Sequence, residues 1–201
     1  IIPLEIEEIP TGTKIFDWVV PKEWIIRGAY LEHENGSRIL DFKNSNLHVL
    51  GYSQPVNDTF ELEELVPYLH SLPDIPDAIP YLTSYYESRW GLCLPHKVKE
   101  QLPKGRYKVV IDSEFIDGSM TLGHHVLPGR TKQEILFSTY TCHPSLANNE
   151  LSGPLLNAFL YKTLAQKPNR KYSIRFSFAP ETIGTIAYLS LHGTEMVQRV
   201  Q

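Results

Sequence analysis

Two segments of the chain carry side chains that can bind a metal ion, and each segment follows an apolar, β-rich run. The run at 134–141 leads into His143 and then Asn149-Glu150, and the run at 171–179 leads into Glu181. Open α/β sheets bind ligands at the carboxyl ends of their strands, so we expect these side chains to converge. Imidazole and carboxylate ligands with one open position are typical of a catalytic zinc site.

The expected metal ligands are His143, Glu181, Asn149 and Glu150. Glu181 is also the predicted catalytic group, because a carboxylate beside a metal-activated water can accept its proton. Structural alternatives stay open for each residue. His143 fits a capping or core histidine, Glu181 an acid favoured by a helix N-terminus, Asn149 a turn residue, and Glu150 a solvated acid.

The remaining histidines and the cysteines have weaker functional signals. The His124-His125 pair is more typical of a strand edge than of a site. Cys142 precedes a histidine in sequence, which does not build a catalytic Cys–His pair, because those partners meet in space. No motif surrounds the other histidines, which we interpret as structural or surface residues: His33, His48, His70, His96 and His192.

The elements that position these residues alternate between strand and helix. The pattern predicts parallel neighbouring strands at 134–141 and 172–179, joined by a helix at 152–165 through a right-handed crossover. Pro154 fits the first turn of that helix. Its predicted inward face consists of Leu155, Leu156, Phe159, Leu160 and Leu164. A further helix is expected at 184–191.

The first half of the chain is richer in proline and aromatic residues and reads as β structure. Asn35-Gly36 predicts a hairpin turn. Apolar spacing predicts a helix at 60–72, and the strands at 107–115 and 119–126 are expected to form an antiparallel hairpin. The aromatic residues are expected in the core of this half and at its junction, with a carbohydrate or peptide platform as the alternative: Trp18, Trp24, Tyr85, Tyr86 and Trp90.

Composition limits the classes of protein that fit. The chain has 201 residues, a net charge of −4 and 42% hydrophobic residues, enough for a sizeable core. Interspersed charges argue against nucleic-acid binding through this segment. No apolar run approaches the roughly 20 residues that span a bilayer. Two cysteines and no recognisable signal peptide favour reduced thiols and a cytoplasmic location. The ends suggest a piece of a longer protein.

Short motifs occur in order along nearly the whole chain: Pro10-Thr11-Gly12-Thr13, Phe16-Asp17-Trp18, Val20-Pro21-Lys22-Glu23-Trp24, Tyr52-Ser53-Gln54-Pro55, Ile79-Pro80-Tyr81, Ser84-Tyr85-Tyr86, Trp90-Gly91-Leu92-Cys93, Cys142-His143-Pro144-Ser145-Leu146-Ala147-Asn148 and Pro180-Glu181-Thr182-Ile183-Gly184. With these motifs the chain resembles the M28-type zinc aminopeptidases. It is most similar to their bacterial DUF4910 group, which carries an inserted DUF2172 domain and often occurs beside functions of surface-polysaccharide biosynthesis.

The resemblance implies roles for particular residues. His143 matches the first zinc histidine, and Glu181 matches the acidic position after the next strand. The bridging carboxylate of the family falls at Asn149, and a neutral amide is a poor bridge between two dications. Adjacent Glu150 can take this place only if the turn shifts, because its side chain otherwise points elsewhere. Ser145 stands where the wider group has an orienting Asp, and Pro180-Glu181 stands where it has two consecutive acids.

The resemblance also implies an architecture. We expect an α/β fold with a partial, zinc-exopeptidase-like three-layer core at 85–201 and a lead-in at 1–19. An inserted, small β-rich domain of the DUF2172 type is expected at 20–84, and the remaining ligands are expected beyond Gln201.

Three functions compete. The first is a zinc-dependent aminopeptidase or amidohydrolase with one or two zinc ions, acting on a peptide or amide small-molecule substrate. The second is a catalytically degenerate relative that binds a peptide, a glycan precursor or a partner protein, which Asn149 and Pro180 favour. The third makes the β-rich module an interaction or homo-oligomerisation domain. The zinc content of the full-length protein distinguishes the first function from the second.

Overall fold

The computed structural model describes residues 1–84, 87–143 and 146–201. The predicted aromatic residues Tyr85 and Tyr86, and Ser145 at the expected orienting position, lie outside the described residues. The strands are β1 (Glu5–Pro10), β2 (Lys14–Ile15), β3 (Trp18–Val19), β4 (Glu23–His33), β5 (Arg38–Asp41), β6 (Val56–Glu61), β7 (Leu69–His70), β8 (Leu92–Cys93), β9 (Arg106–Ile116), β10 (Ser119–Leu127), β11 (Glu134–Tyr140) and β12 (Ser173–Ala179). The helices are α1 (Leu62–Leu65), α2 (His96–Glu100), α3 (Ala147–Ala165) and α4 (Ile183–Arg199).

The chain forms two compact units. One, called the α/β unit here, comprises Ile1–Glu23 and Asp117–Gln201, and the other, the β unit, comprises Trp24–Ile116. The β unit extends beyond the predicted module at 20–84, because β9 pairs with β6 in the sheet of that unit. The assignment of an inserted DUF2172-like domain stays a prediction.

The α/β unit is built on a four-stranded sheet in the order β1-β10-β12-β11. β11 and β12 are parallel, with Ser138 opposite Ser177, which confirms the predicted neighbouring parallel strands. β1 and β10 run antiparallel, as do β10 and β12. Side chains alternate between the two faces of each strand. α3 covers the face that carries Ile174 and Phe176, and α4 covers the face that carries Leu122 and Ala179. The three-layer α/β core expected from the sequence is therefore present.

Both faces of β12 are buried, including the face that carries its polar residues. Arg175 and Ser177 lie under α4 and are almost inaccessible to solvent. Arg175 donates to Glu134 on the adjacent strand over distances of 2.6 and 3.2 Å, and to the hydroxyl of Tyr188 on α4 over 2.9 Å. Buried charges need such partners. Burial opposes the charged form, but the bonds to Glu134 and Tyr188 outweigh it and raise the pKa of Arg175.

The predicted inward face of the helix after β11 is partly wrong. α3 begins at Ala147, so Pro154 lies inside the helix rather than in its first turn. Leu160 and Leu164 pack against the sheet, as expected. Leu155, Leu156 and Phe159 are more than half exposed, because α3 packs beside β11 at the end of the strand order and meets the sheet along a narrow stripe.

The β unit has its own sheet, in the order β5-β4-β9-β6, and a parallel pair of β7 and β8. The predicted hairpin is present: Asn35-Gly36 lies between β4 and β5, and Gly36 has a φ of 86°. Trp24 and Trp90 pack against the core of this unit, whereas Trp18 packs in the α/β unit. Both contacts agree with structural roles for these aromatic side chains.

Two further expectations for this region are wrong. The strands at 107–115 and 119–126 do not form a hairpin, because β9 belongs to the sheet of the β unit while β10 pairs with β1 and β12. The predicted helix at 60–72 is reduced to α1 and a 3-10 turn at Val66–Tyr68. Pro67 explains the break, since proline has no N–H to donate the next helical hydrogen bond.

Candidate metal centre

The ends of β11 and β12 remain joined beyond the last paired residues. The amide of Thr141 donates to the carbonyl of Ala179 over 3.1 Å. The backbone amide of Glu181 lies 3.2 Å from the sulfur of Cys142. These contacts hold the segments that carry His143 and Glu181 side by side, as expected for adjacent parallel strands.

Glu181 is oriented by a tight turn between β12 and α4. Thr182 has φ 57° and ψ −70°, and the amide of Ile183 donates to the carbonyl of Glu181 over 2.6 Å. This is a γ-turn of the rare, strained type. Such strain is concentrated at functional sites, where the surrounding structure maintains it. The turn leaves the side chain of Glu181 about half exposed at the strand end.

Gly184 allows α4 to start against the strand. A β-carbon at this position would lie 2.9 Å from that of Ala179 and 2.5 Å from Cδ of Pro180, so a larger residue would displace the helix. Gly153 likewise allows α3 to approach β11, because an added β-carbon there would collide with the side chain of Thr139. Both helices thus approach the strand ends closely.

The imidazole of His143 lies close to the side chains of Glu150, Asn149 and Glu181. Its Nδ1 lies 2.6 Å from Oε1 of Glu150 and 3.2 Å from Oδ1 of Asn149, and its Nε2 lies 3.5 Å from Oε2 of Glu181. The structure thus brings together all four residues expected from the sequence. His143 and Glu150 are mostly buried, whereas Asn149 is exposed. The ring does not point into the apolar core.

Of the two orientations that the sequence allowed for Glu150, the structure has the one that faces the site. Because α3 starts at Ala147, Glu150 lies in its first turn and faces the end of β11. Its second carboxylate oxygen accepts the backbone amide of Cys142. The carboxylate of Glu150 therefore lies nearer to Nδ1 of His143 than the amide oxygen of Asn149 does.

Cys142 is a site residue that the sequence did not indicate as a ligand. The ligand atoms of Cys142, His143 and Glu150 all lie within 4.8 Å of one another. Burial raises the pKa of the Cys142 thiol, although the amide of Glu181 acts in the opposite direction. A raised pKa disfavours the thiolate, which agrees with the expectation that Cys142 is not a nucleophile. Its neighbour in sequence, His143, was the only local signal for it.

A cavity of about 450 Å³ opens onto this cluster and is lined in part by Cys142, His143 and Glu150. Its other lining residues are mostly apolar, including Leu146 and Leu151. The donor set of one imidazole, carboxylates and a sulfur suits zinc, which prefers nitrogen, sulfur and carboxylate ligands. The residues present thus fit a zinc ion, with room beside them for a small substrate group.

The three-layer core and this strand-end cluster define the class of fold. The structure resembles a zinc aminopeptidase from Bacillus subtilis, with a TM-score of 0.59 and 11% identity over 99% of this chain and 57% of that one. A peptidase M28 precursor from Shewanella amazonensis gives a TM-score of 0.62 and 9% identity over 97% of this chain and 60% of that one. The fold is therefore that of the M28 aminopeptidases.

The chain belongs to the DUF4910 family, described as a domain of unknown function, which matches residues 1–201. A Clostridium acetobutylicum protein is 53% identical over 189 residues, 94% of this chain and 43% of its own length. Its name provisionally assigns it to polysaccharide biosynthesis and gives it an aminopeptidase-like domain. A crystal structure from the same organism, provisionally called a peptidase, gives a TM-score of 0.93 and 50% identity over 98% of this chain and 47% of that one. The chain thus spans less than half of these relatives.

Among the described residues, none of the helices combines the length and the apolar character needed to cross a bilayer.

Proposed function

We propose that this chain supplies part of the active site of a zinc-dependent aminopeptidase or amidohydrolase. The observation that carries the proposal is the convergence of His143, Glu150 and Glu181 at the ends of two parallel strands. The aminopeptidase-like domain named in a relative of 53% identity, and the M28 fold, support a peptidase-like function. Peptides or small amides are the proposed substrates.

His143 and Glu150 would hold the metal ion, with Glu181 on the other side of the imidazole and Asn149 beside it. Zinc, when bound, supplies a Lewis acid for the scissile carbonyl and an activated water. Glu181, about half exposed at the cleft, can accept and return a proton as general base. Glu150 lies 2.6 Å from Nδ1 of His143, so these two proposed ligands are already side by side.

The second candidate is a degenerate relative that binds its ligand without turnover. The neutral Asn149 at the bridging position favours it, because two dications close together need a bridging anion. We therefore propose that at most one zinc is held well and that hydrolysis is weak. The link to polysaccharide biosynthesis, the DUF2172-like insertion and a cytoplasmic location remain further proposals. Free thiols at Cys93 and Cys142 support the location.

The test measures zinc content and hydrolysis of a panel of aminoacyl amides in the full-length protein. Replacing Asn149→Asp should raise the affinity for a second zinc and increase hydrolysis, since it adds a bridging carboxylate. The matched variant Asn148→Asp places the same charge one residue earlier in the turn and should change neither quantity. Glu181→Gln should abolish any hydrolysis while zinc is retained.

Two results would contradict parts of this proposal. Fast wild-type turnover with two zinc ions bound tightly in the His143 cleft itself would show that Glu150 bridges them and that the neutral Asn149 does not impair catalysis. If the zinc content of the wild-type protein is the same as that of His143→Ala, no zinc binds at His143. That result would contradict the proposed hydrolase and favour the second candidate, a protein that binds its ligand without turnover.

A further inference from the structure

A second group of metal-binding side chains lies in the α/β unit, away from the His143 cleft. It consists of Glu7 on β1, His124 on β10 and His192 on α4, and their ligand atoms all lie within 4.8 Å of one another. Two imidazoles and a carboxylate with a vacant fourth position are a recognised zinc ligand set. Nothing in the sequence motifs described above includes these residues.

The sheet register explains why these side chains meet. Glu5 on β1 lies directly opposite His124 on β10, and Glu7, two residues further along, points to the same face of the sheet. α4 covers this face, with Tyr188 and His192 one helical turn apart. The rings of His124 and His192 are 4.7 Å apart and nearly perpendicular. Three separate elements therefore deliver one donor each.

The imidazole of His124 has an unmet bonding requirement. The residue exposes only 6% of its surface, and among the described residues its Nδ1 atom has no hydrogen-bond partner. A buried polar atom without a partner is unfavourable and calls for an explanation. This atom lies 3.9 Å from Oε2 of Glu7, so it faces the middle of the cluster. A bound cation would satisfy it.

The surroundings supply the supporting contacts of a metal site. The other nitrogen of His124, Nε2, lies 3.5 Å from Oε2 of Glu5. Metal-bound histidines typically direct their second nitrogen to such a carboxylate, which fixes the tautomer and the ring. Glu7 lies 2.9 Å from Nε2 of His192. The nearby positive charge of Arg175 is offset by its ion pairs with Glu134 and Glu195.

We propose that Glu7, His124 and His192 form a second binding site for a divalent transition metal ion, zinc in the first instance. The ligands are Nδ1 of His124, Nε2 of His192 and a carboxylate oxygen of Glu7, and Glu5 orients His124. Because the site joins β1, β10 and α4, its metal ion stabilises the α/β unit. The site does not depend on the proposed hydrolase function, since it shares no ligand with the His143 cleft.

The experiment uses the full-length protein with the double substitution Cys142→Ser/His143→Ala, which removes the cleft as a binding site. After removal of metal, the protein is titrated with Zn²⁺ by calorimetry and with Co²⁺ by visible spectroscopy. We expect about one ion per chain and the strong Co²⁺ absorption of a four-coordinate site. In this background, Glu7→Gln or His192→Gln should eliminate that ion and its absorption, and Glu5→Gln should weaken binding by about 10- to 100-fold.

Matched controls come from the opposite faces of the same strands. Glu8 on β1 accepts hydrogen bonds from Ser119 and Thr121, and His125 on β10 packs on Tyr161, so Glu8→Gln and His125→Gln should leave binding unchanged. A glutamine at position 7 or 192 can still form a hydrogen bond between these two positions. A circular dichroism melt verifies that each variant is folded. If the background protein binds no ion, or if neither Glu7→Gln nor His192→Gln changes its binding, the three residues are a hydrogen-bonded structural cluster and the proposal fails.

Discussion

Thr182 combines a strained backbone conformation with a position directly beside a proposed catalytic group. A β-branched residue rarely adopts a positive φ, and Thr182 has a φ of 57°. Its side chain is exposed and makes no capping hydrogen bond, so the side chain does not offset the strain. The packing of the strand end and α4 holds Thr182 in this unfavourable conformation.

Thr182→Gly should therefore stabilise the protein by about 1 kcal/mol, because relief of strain exceeds the added entropy of the unfolded chain. Urea unfolding of both proteins measures the difference. Thr185→Gly, in the first turn of α4, serves as the matched control and should lower stability by a few tenths of a kcal/mol. A loss of stability in Thr182→Gly would contradict the interpretation of strain.

His70 in the β unit links stability to pH. Burial, together with the charges of Arg89 and Lys99, lowers the pKa of His70. The unfolded chain takes up a proton at this residue below about pH 6.5, whereas the folded protein does so only at lower pH. The free energy of unfolding should therefore fall as the pH drops from about 6.5 through the folded pKa.

Urea unfolding at several pH values between about 7.5 and 5.5 tests this linkage, and His70→Gln should show a shallower loss of stability on acidification. In this variant the free energy of unfolding should still depend on pH, although less steeply. The remaining dependence comes from His124, whose pKa burial also lowers. Equal slopes for the wild type and the variant would show that His70 protonates equally easily in both states.

Between elements, the buried ion pair of Arg175 and Glu134 joins β11 to β12 and both to α4. Glu134 also lies 3.5 Å from Arg199, and Arg175 lies 3.0 Å from Glu195 on the same helix. The pair connects the two strands whose ends carry the site. Its loss would leave a buried charge without its main partner.

Arg175→Met should lower the free energy of unfolding by about 3–5 kcal/mol, since Glu134 then remains buried with only the partly exposed Arg199 nearby. The double variant Glu134→Gln/Arg175→Met should recover part of this loss, because no uncompensated charge remains. Arg38→Met, which breaks an exposed ion pair in the β unit, should have little effect. If the double variant is less stable than Arg175→Met, the explanation by an unpaired charge is wrong.

Considered as a whole, the molecule consists of one unit that is continuous in sequence and one that is not. The β unit spans Trp24–Ile116 without interruption and has its own core, in which Leu31, Leu65 and Tyr107 are fully buried. The α/β unit needs both chain segments, because β1 pairs along β10. A continuous segment with its own core can fold alone.

A fragment of residues 24–116 should therefore show a cooperative thermal transition and a β-rich circular dichroism spectrum. A fragment of residues 117–201 should remain without cooperative structure, because it leaves β10 without β1. Adding residues 1–23 as a separate peptide should partly restore the structure. A non-cooperative 24–116 fragment would contradict the independence of the β unit.

Much of the framework of the candidate site was accessible from the amino-acid sequence. A continuous apolar run at 134–141 and an alternating run at 172–179, each followed by a polar turn, predicted the parallel pair correctly. Because a side chain directly after a strand stays near the strand end, His143 and Glu181 could be placed together without further information. The turn at Asn35-Gly36 was also predictable, since its backbone conformation depends on those residues themselves.

Contacts between distant segments were decided by the tertiary structure alone. The sequence could not show that Glu150 turns towards His143, because that depends on where α3 begins. It could not show that Glu7, His124 and His192 meet, because they belong to three elements brought together by strand register and helix packing. Likewise, Leu155 looked like a core residue until the position of α3 at the end of the sheet left it exposed. Local patterns determine what each segment becomes, whereas the neighbours of a side chain follow from how all the segments pack.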